Sequence, residues 1–574
     1  MTTPPSGADI PPRRHEPSMS PPEYVLNRHG GRVLDPTTAL TAPGRSVRPT
    51  IYVGAKLLVA GQLSPDVRRV LDEAARPEGY RVADEVEFDS ELLSYANAVD
   101  ERTREYGEEA EAVRARLPRS VTELTLSLLS TRITLVPIDP NAPVPPPDAW
   151  TVLQRFRQLA AVEGQPADVR NAEVTLDHLM GTNADDQTGF MGLQGFMGIG
   201  GFMGIGGFMG IGGFMGIGGV GSPSMTYAAP GSGGRQPVAK LGPDPTRCTD
   251  DDWTGRRPLV AVLDTGAGRH RWLPPDVVLR EPTVGGLPIG MTDALDGPSP
   301  EVSAQQDDPL EGVLDPAAGH GTFISGILRQ TAPDANIVMV RVVHGDGAIP
   351  EWDFLRALNR LTVRHAVALL LHTADEILDA VSLSLGYYHE DPASLQFDSQ
   401  LLKPVRALTE LGVLLVACAG NDATVRHMYP AGFAPHSDTK LPPRHEAAPL
   451  LSVGALNPNL KTKAMFSNDG DWVSCFRAGA SVISSLPDSL NGSLQAAAAT
   501  SPKLRDRRAT IDPDDFTGGF AIWSGTSFAA PVLAGELLQH ITANPDRDAL
   551  DLSTALDRAW AAVSAVLPGK LTRP

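Results

Sequence analysis

RPLVAVLDTG (Arg257–Gly266) is the segment from which the architecture of this chain follows. Its apolar run is short and β-rich, and it stops at Asp264 and a glycine turn, as a parallel strand stops at the carboxyl edge of a sheet. Runs of the same kind recur at ANIVMVRVV (Ala335–Val343), DAVSLSLG (Asp379–Gly386), GVLLVACAGN (Gly412–Asn421) and APLLSVGAL (Ala448–Leu456). Helical patterns fall between several of them, at Gly321–Gln330, Glu351–Leu378 and Ser399–Leu411. Near-continuous apolar strands alternating with helices predict an α/β unit, a parallel sheet with helices on both faces. Active sites in such sheets lie outside the carboxyl ends of the strands, and Asp264, Gly386 and Asn421 all fall at those ends.

Two further segments supply chemistry. WSGTSFAAPVLAG (Trp523–Gly535) sets Ser527 after a Gly-Thr step at the start of an apolar helix, with Pro531 expected in the first turn. A helix N-terminus favours developing negative charge. A hydroxyl nonetheless stays a weak nucleophile until a base takes its proton and a third group orients that base. GHGTFISGIL (Gly319–Leu328) offers His320 as the base, also at a helix start, and Asp264 is the orienter. Asp-Thr-Gly occurs in aspartic proteases too, but those need two such carboxylates and no second D-T-G is present.

The order Asp264, His320, Ser527 is the Asp…His…Ser order of subtilisin. DTG, HGT and GTSFAAP, with AGND at Ala419–Asp422, resemble the signature blocks of the subtilisin-like serine peptidases (subtilases) over roughly residues 256–540. That resemblance implies a subtilisin-like sheet and acyl transfer through Asp264, His320 and Ser527. It gives Asn421 the role of an oxyanion donor, and it makes Ser384, Leu385, Gly386, Ala419 and Gly420 the backbone that pairs with an extended polypeptide substrate. Met428, before the YPA block, stands where a glycine is common at the base of the specificity pocket, and Phe323 and Phe528 read as packing variations. Two inserts, Glu281–Pro316 and about Leu490–Gly518 with its basic KLRDRR, are expected at the cleft rim. No cofactor and no metal site are assigned. Structural calcium, bound by many relatives, stays open, although no D-x-D-x-D-G loop is present.

Outward from this domain (241–570), the sequence reads as a disordered Pro-rich terminus (1–47), a small α+β domain (48–182) and a glycine-rich linker (183–240). The small domain is expected to hold strands in Ile51–Gly61, a helix over Ser64–Ala75 capped by Ser64, a long helical stretch over Ser90–Leu117, strands in Leu124–Ile138, a helix over Ala149–Ala161 and a closing strand at Ala172–Leu179. It is either an intramolecular inhibitor or folding assistant, as propeptides are in that family, or an independent recognition domain. The linker carries GFMGIG hexapeptides with Phe190, Phe196, Phe202, Phe208 and Phe214 in step. Its glycines make ordering costly and dilute a membrane span, which is disfavoured.

The 574 residues hold 49 Lys+Arg against 68 Asp+Glu, a net charge of −19, which argues against a nucleic-acid partner. Cys248, Cys418 and Cys475 are scattered and suit a reducing compartment. With no apolar core of a secretory signal recognised at the N-terminus, a cytoplasmic location is expected. A serine endopeptidase is the first reading. The alternatives are a narrow peptide-maturation protease or macrocyclase, and a catalytically silent binding protein on a protease scaffold.

Overall fold

The computed structural model describes residues 19, 21–41, 46–106, 109–182, 235–307, 310, 312–391, 400–436, 441–492, 509, 511–512 and 514–574. The GFMGIG repeats, the KLRDRR patch and the Pro-rich residues 1–18 lie outside the described residues. At the centre is a seven-stranded parallel sheet in the order Cys475–Ala478, Leu450–Leu456, Leu414–Cys418, Ala380–Leu383, Leu259–Asp264, Asn336–Arg341, Val278–Arg280. Every residue of Leu259–Asp264 is buried, as expected of a strand covered on both faces. The chain leaves this strand toward Asn336–Arg341 on one side and returns to Ala380–Leu383 on the other. Asp264 therefore sits where the strand order reverses, the place where such sheets build sites.

Three helices matter most. His320–Thr331 and Thr526–Thr542 pack against each other, and Glu351–Leu371 forms a buried shelf on the other side of the molecule. The shelf ends at His372, whose φ of 54° is left-handed, so the helical pattern stops short of Leu378.

The N-terminal part follows the sequence reading with three differences. Ser64 caps the Pro65–Ala75 helix, accepting from the Val67 N–H at 3.1 Å, and Ile51–Ala60, Ala149–Ala160 and Val174–Gly181 form as expected. Residues 124–128, expected as strand, belong to the helix Val121–Leu128, because Ser120 and Glu123 make a reciprocal capping box, worth about 1 kcal/mol. The long helical stretch divides into Ser90–Arg104 and Ala110–Arg114. Within the terminus expected to be disordered, Glu23–His29 is helical, closed by left-handed Gly30, and Gly31–Val33 pairs with the edge of Ile51–Val53. That pairing satisfies backbone groups that a disordered tail would leave to water.

The N-terminal unit does not stand apart. Its antiparallel sheet runs Tyr80–Val82, Ser130–Pro137, Ile51–Ala60, Val174–Gly181, and then continues into Ala348–Pro350 of the other unit. Leu92, Ala96, Val99, Leu124 and Leu128 share one apolar core with the shelf helix. Buried Arg360 on that helix pairs with Asp89 at 2.7 and 2.9 Å, and Asp89 also caps the Ser90–Arg104 helix. The three cysteines are free thiols, and burial pushes Cys418 up to about 12 and Cys475 to about 11, far from reactive thiolates. Among the described residues no helix is long and apolar enough to cross a membrane.

Candidate active site

Asp264 ends the central strand and His320 begins its helix, and the two meet: His320 Nδ1 lies 2.8 Å from Asp264 Oδ1, both side chains fully buried. The Asp264 carboxylate also accepts from the Thr265 N–H at 2.8 Å and lies 3.1 Å from the Thr265 hydroxyl. On the far side of the imidazole, Nε2 is buried with no hydrogen-bond partner. Trp523 and Phe528 wall the ring, their centroids 5.5 and 5.4 Å from it, and Phe323 packs behind them on both. Phe323 and Phe528 are therefore packing residues, set between the His320 helix and the Ser527 helix.

Ser527 lies in the first turn of Thr526–Thr542, buried beside Asn421. Asn421 Oδ1 accepts from both the N–H and the hydroxyl of Thr526 at 2.9 Å, which fixes the carboxamide next to the serine. Pro531 falls one turn later than the sequence suggested. It cannot supply the N–H that would bond the Ser527 carbonyl, and the Ser384 hydroxyl takes that carbonyl instead at 2.9 Å. A helix defect is thereby converted into a tie between Ser527 and the neighbouring strand end.

The Ser527 hydroxyl is not directed at His320. It donates to the carbonyl oxygen of Thr182 at 2.9 Å, with the Ser384 carbonyl 3.4 Å away. Thr182 follows the Val174–Gly181 strand, whose end, from Leu179 on, lies in a groove with main-chain partners on both sides. Gly181 and Gly386 exchange hydrogen bonds of 2.9 and 2.8 Å, Thr182 N–H donates to Gly347 O at 2.9 Å, and Leu179–Gly181 pairs with Ala348–Pro350. Of the five backbone residues singled out, Gly386 pairs with this strand through Gly181, while Ser384 touches Ser527 through its hydroxyl and its carbonyl. Ala419 and Gly420 spend their backbone groups inside the scaffold, on Val453 O, the Asn468 amide and the Thr526 hydroxyl. Gly420 has a φ of 103°, and an added Cβ would lie 2.9 Å from Met428 Sδ. One at Gly386 would meet Met428 Cε at 2.9 Å, so Met428, fully buried, fills the space behind both glycines.

Three groups escaped the sequence reading. The Gly347–Pro350 edge carried no motif beyond its glycine. Arg235 is fully buried where the chain re-enters after the glycine-rich tract; it donates to the carbonyls of Asp315, Pro316 and Ala318 and lies over Trp523, 5.1 Å from the ring centroid. Glu301, inside an insert expected at the rim, is instead fully buried against Thr265 and Thr322.

Buried at the junction of the two units, His178 Nδ1 meets Glu351 at 2.7 Å and Nε2 meets Glu390 at 2.8 Å, with the Tyr387 ring stacked on it. Burial alone would lower its pKa, but the Glu390 and Glu351 carboxylates outweigh that and lift it to about 10. Among the described residues, His178, His389 and Glu390 are the one trio close enough to share an ion. Two imidazoles do not suit calcium, which takes oxygen ligands, and His178 is already bridged on both nitrogens. No step is derived through a metal.

The sequence profile described as the Subtilase family matches residues 255–566, more than half of the chain. Serine protease AprX of Bacillus subtilis (strain 168) is 26% identical over 307 residues, 51% of this chain and 59% of AprX, so the match spans less than two thirds of that relative. The major intracellular serine protease of the same organism is 23% identical over 271 residues, 45% of this chain and 69% of that protein. Among solved structures, a cold adapted subtilisin-like serine proteinase aligns with a TM-score of 0.30 and 18% identity, covering 55% of this chain and 85% of that one.

Proposed function

Because this chain belongs to the subtilase family, we propose that it is a serine endopeptidase held inactive by its own N-terminal domain. What carries this reading is the 2.9 Å contact between the Ser527 hydroxyl and the Thr182 carbonyl. It joins a nucleophile to a peptide carbonyl in a strand bound as an extended substrate is bound. In turnover the hydroxyl would give its proton to His320 Nε2 as Oγ attacks the carbonyl carbon, and His320 would pass that proton to the leaving amine. Asp264 would hold the tautomer that presents Nε2 and stabilise the imidazolium. Asn421, anchored to Thr526 through its oxygen, would donate from Nδ2 to the oxyanion, alongside the Ser527 N–H.

The strand is a substrate mimic in its main chain, and the peptide bond after Thr182 is the first that this site would cut. A polypeptide is the substrate class, and the proposal needs no cofactor and no nucleic acid. The test is labelling by a fluorophosphonate probe, which reacts only with an activated serine. The full-length protein should label slowly while covered, and Ser527→Ala should not label at all. Equal labelling of both proteins would end the peptidase reading and favour a silent binding protein.

A further inference from the structure

We propose that Glu301 is a positioning residue of this site, a second acid that ties the Asp264 side to the His320 side. Its carboxyl group touches the Thr265 hydroxyl through Oε1 and accepts from the Thr322 hydroxyl through Oε2 at 2.5 Å. Thr265 adjoins Asp264, and Thr322 lies two residues past His320, so one carboxyl group bridges the two blocks. Gly321 N–H closes the loop, 2.9 Å from Thr265 Oγ1 and 3.3 Å from Glu301 Oε1. Gly268 N–H donates to Thr322 Oγ1 at 2.8 Å, and the Ser299 hydroxyl holds the Thr265 carbonyl at 3.1 Å.

The Thr265 hydroxyl has one proton and two acidic neighbours. When Glu301 is ionised, that proton goes to Glu301 and Asp264 loses a donor. When Glu301 is neutral, its own O–H donates to Thr265 Oγ1, and the Thr265 proton turns to Asp264 Oδ1, 3.1 Å away. Glu301 therefore sets how many donors Asp264 receives, and through Asp264 how firmly the imidazole is held. Burial raises its pKa, the Thr265 and Thr322 hydroxyls oppose that, the Asp264 charge adds to it and His320 subtracts, leaving it at about 7. Arg280 and Arg341 also feel its charge. Because the folded value lies above the ordinary 4.5, the folded state is favoured most below pH 4.5 and loses that stability as pH rises through about 7.

The inference rests on the peptidase reading, and the experiment separates the two. Fluorophosphonate labelling rates of the full-length wild type, Glu301→Gln and Glu301→Ala are followed across pH, together with their thermal stability. Glu301→Ala should label about tenfold to 100-fold more slowly. Glu301→Gln, whose amide reproduces the neutral acid, should restore most of the rate and lose both the inflection near pH 7 and the fall in stability up to that pH. Wild-type labelling with an unchanged rate in Glu301→Ala, or an inflection and a stability slope retained in Glu301→Gln, overturns the role of Glu301 alone. A wild type that never labels overturns the peptidase reading, and the stability slope still decides whether Glu301 is the titrating group.

Discussion

Met428 lies with its sulfur toward Gly420 and its methyl group toward Gly386, and under the proposed function it would border the space that a side chain preceding the cut bond enters. The residue whose carbonyl meets the Ser527 hydroxyl is Thr182, small and branched. The wild type should therefore prefer small residues before the cleaved bond in peptide-library profiling. Met428→Ala should raise kcat/KM for a large apolar residue there by about tenfold or more. The same change empties a buried site, at a cost of about 2–5 kcal/mol in stability. An unchanged profile would show that Met428 does not shape the pocket. At this scale the sequence was most informative where candidate residues sit in short local strings, as for Asp264, His320, Ser527 and Asn421, which the fold brings to one end of the sheet or to the helices beside it. It was silent on Glu301 and Arg235, because their partners come from segments remote in the chain. An acid in a proline-rich insert, and an arginine after a glycine tract, look like surface residues until the fold buries them.

The Val174–Gly181 strand shows the same limit one level up. Its apolar run announced a strand, but not that its outer edge lies in a cleft, since an edge has no sequence signature of its own. Residues 124–128 were misread for a different reason: their apolar run suits either geometry, and Ser120 with Glu123 decided the outcome. The strand is fastened by His178, whose ring is charged between Glu351 and Glu390, with His389 and Tyr387 beside it. The sign follows from the raised value. With a folded pKa of about 10 against an ordinary 6.5, the stabilisation is complete below pH 6.5 and disappears as pH rises through about 10. Fluorophosphonate labelling of the wild type should accordingly accelerate as pH approaches 10. His178→Ala, which strands two buried carboxylates, should loosen the strand at neutral pH at a cost of about 3–5 kcal/mol. Slow labelling of that variant would remove His178 from the clamp.

Across the whole molecule, the two units share a sheet, an apolar core and buried ion pairs such as Arg360 with Asp89. The parallel sheet and its site residues were legible because each strand is nearly all apolar and ends in a recognisable string. The union of the units was not, because interfaces are assembled from residues that also serve as ordinary core. If the covered state is a precursor, intact mass measurement of the wild type should reveal a fragment beginning at Asn183, while Ser527→Ala remains a single 60.9 kDa chain. A single uncut wild-type chain that nonetheless labels would make the N-terminal domain a permanent regulator. The groove that holds Leu179–Thr182, at the end of the Val174–Gly181 strand, has hydrogen-bonding edges on both sides, at Gly386 and at Gly347–Pro350. A guest must bring both edges of its own backbone unpaired, which no residue inside a helix or a paired sheet can do. Unfolding of the target would then come before cutting, making denatured proteins and slack loops the natural prey and leaving well-folded neighbours untouched.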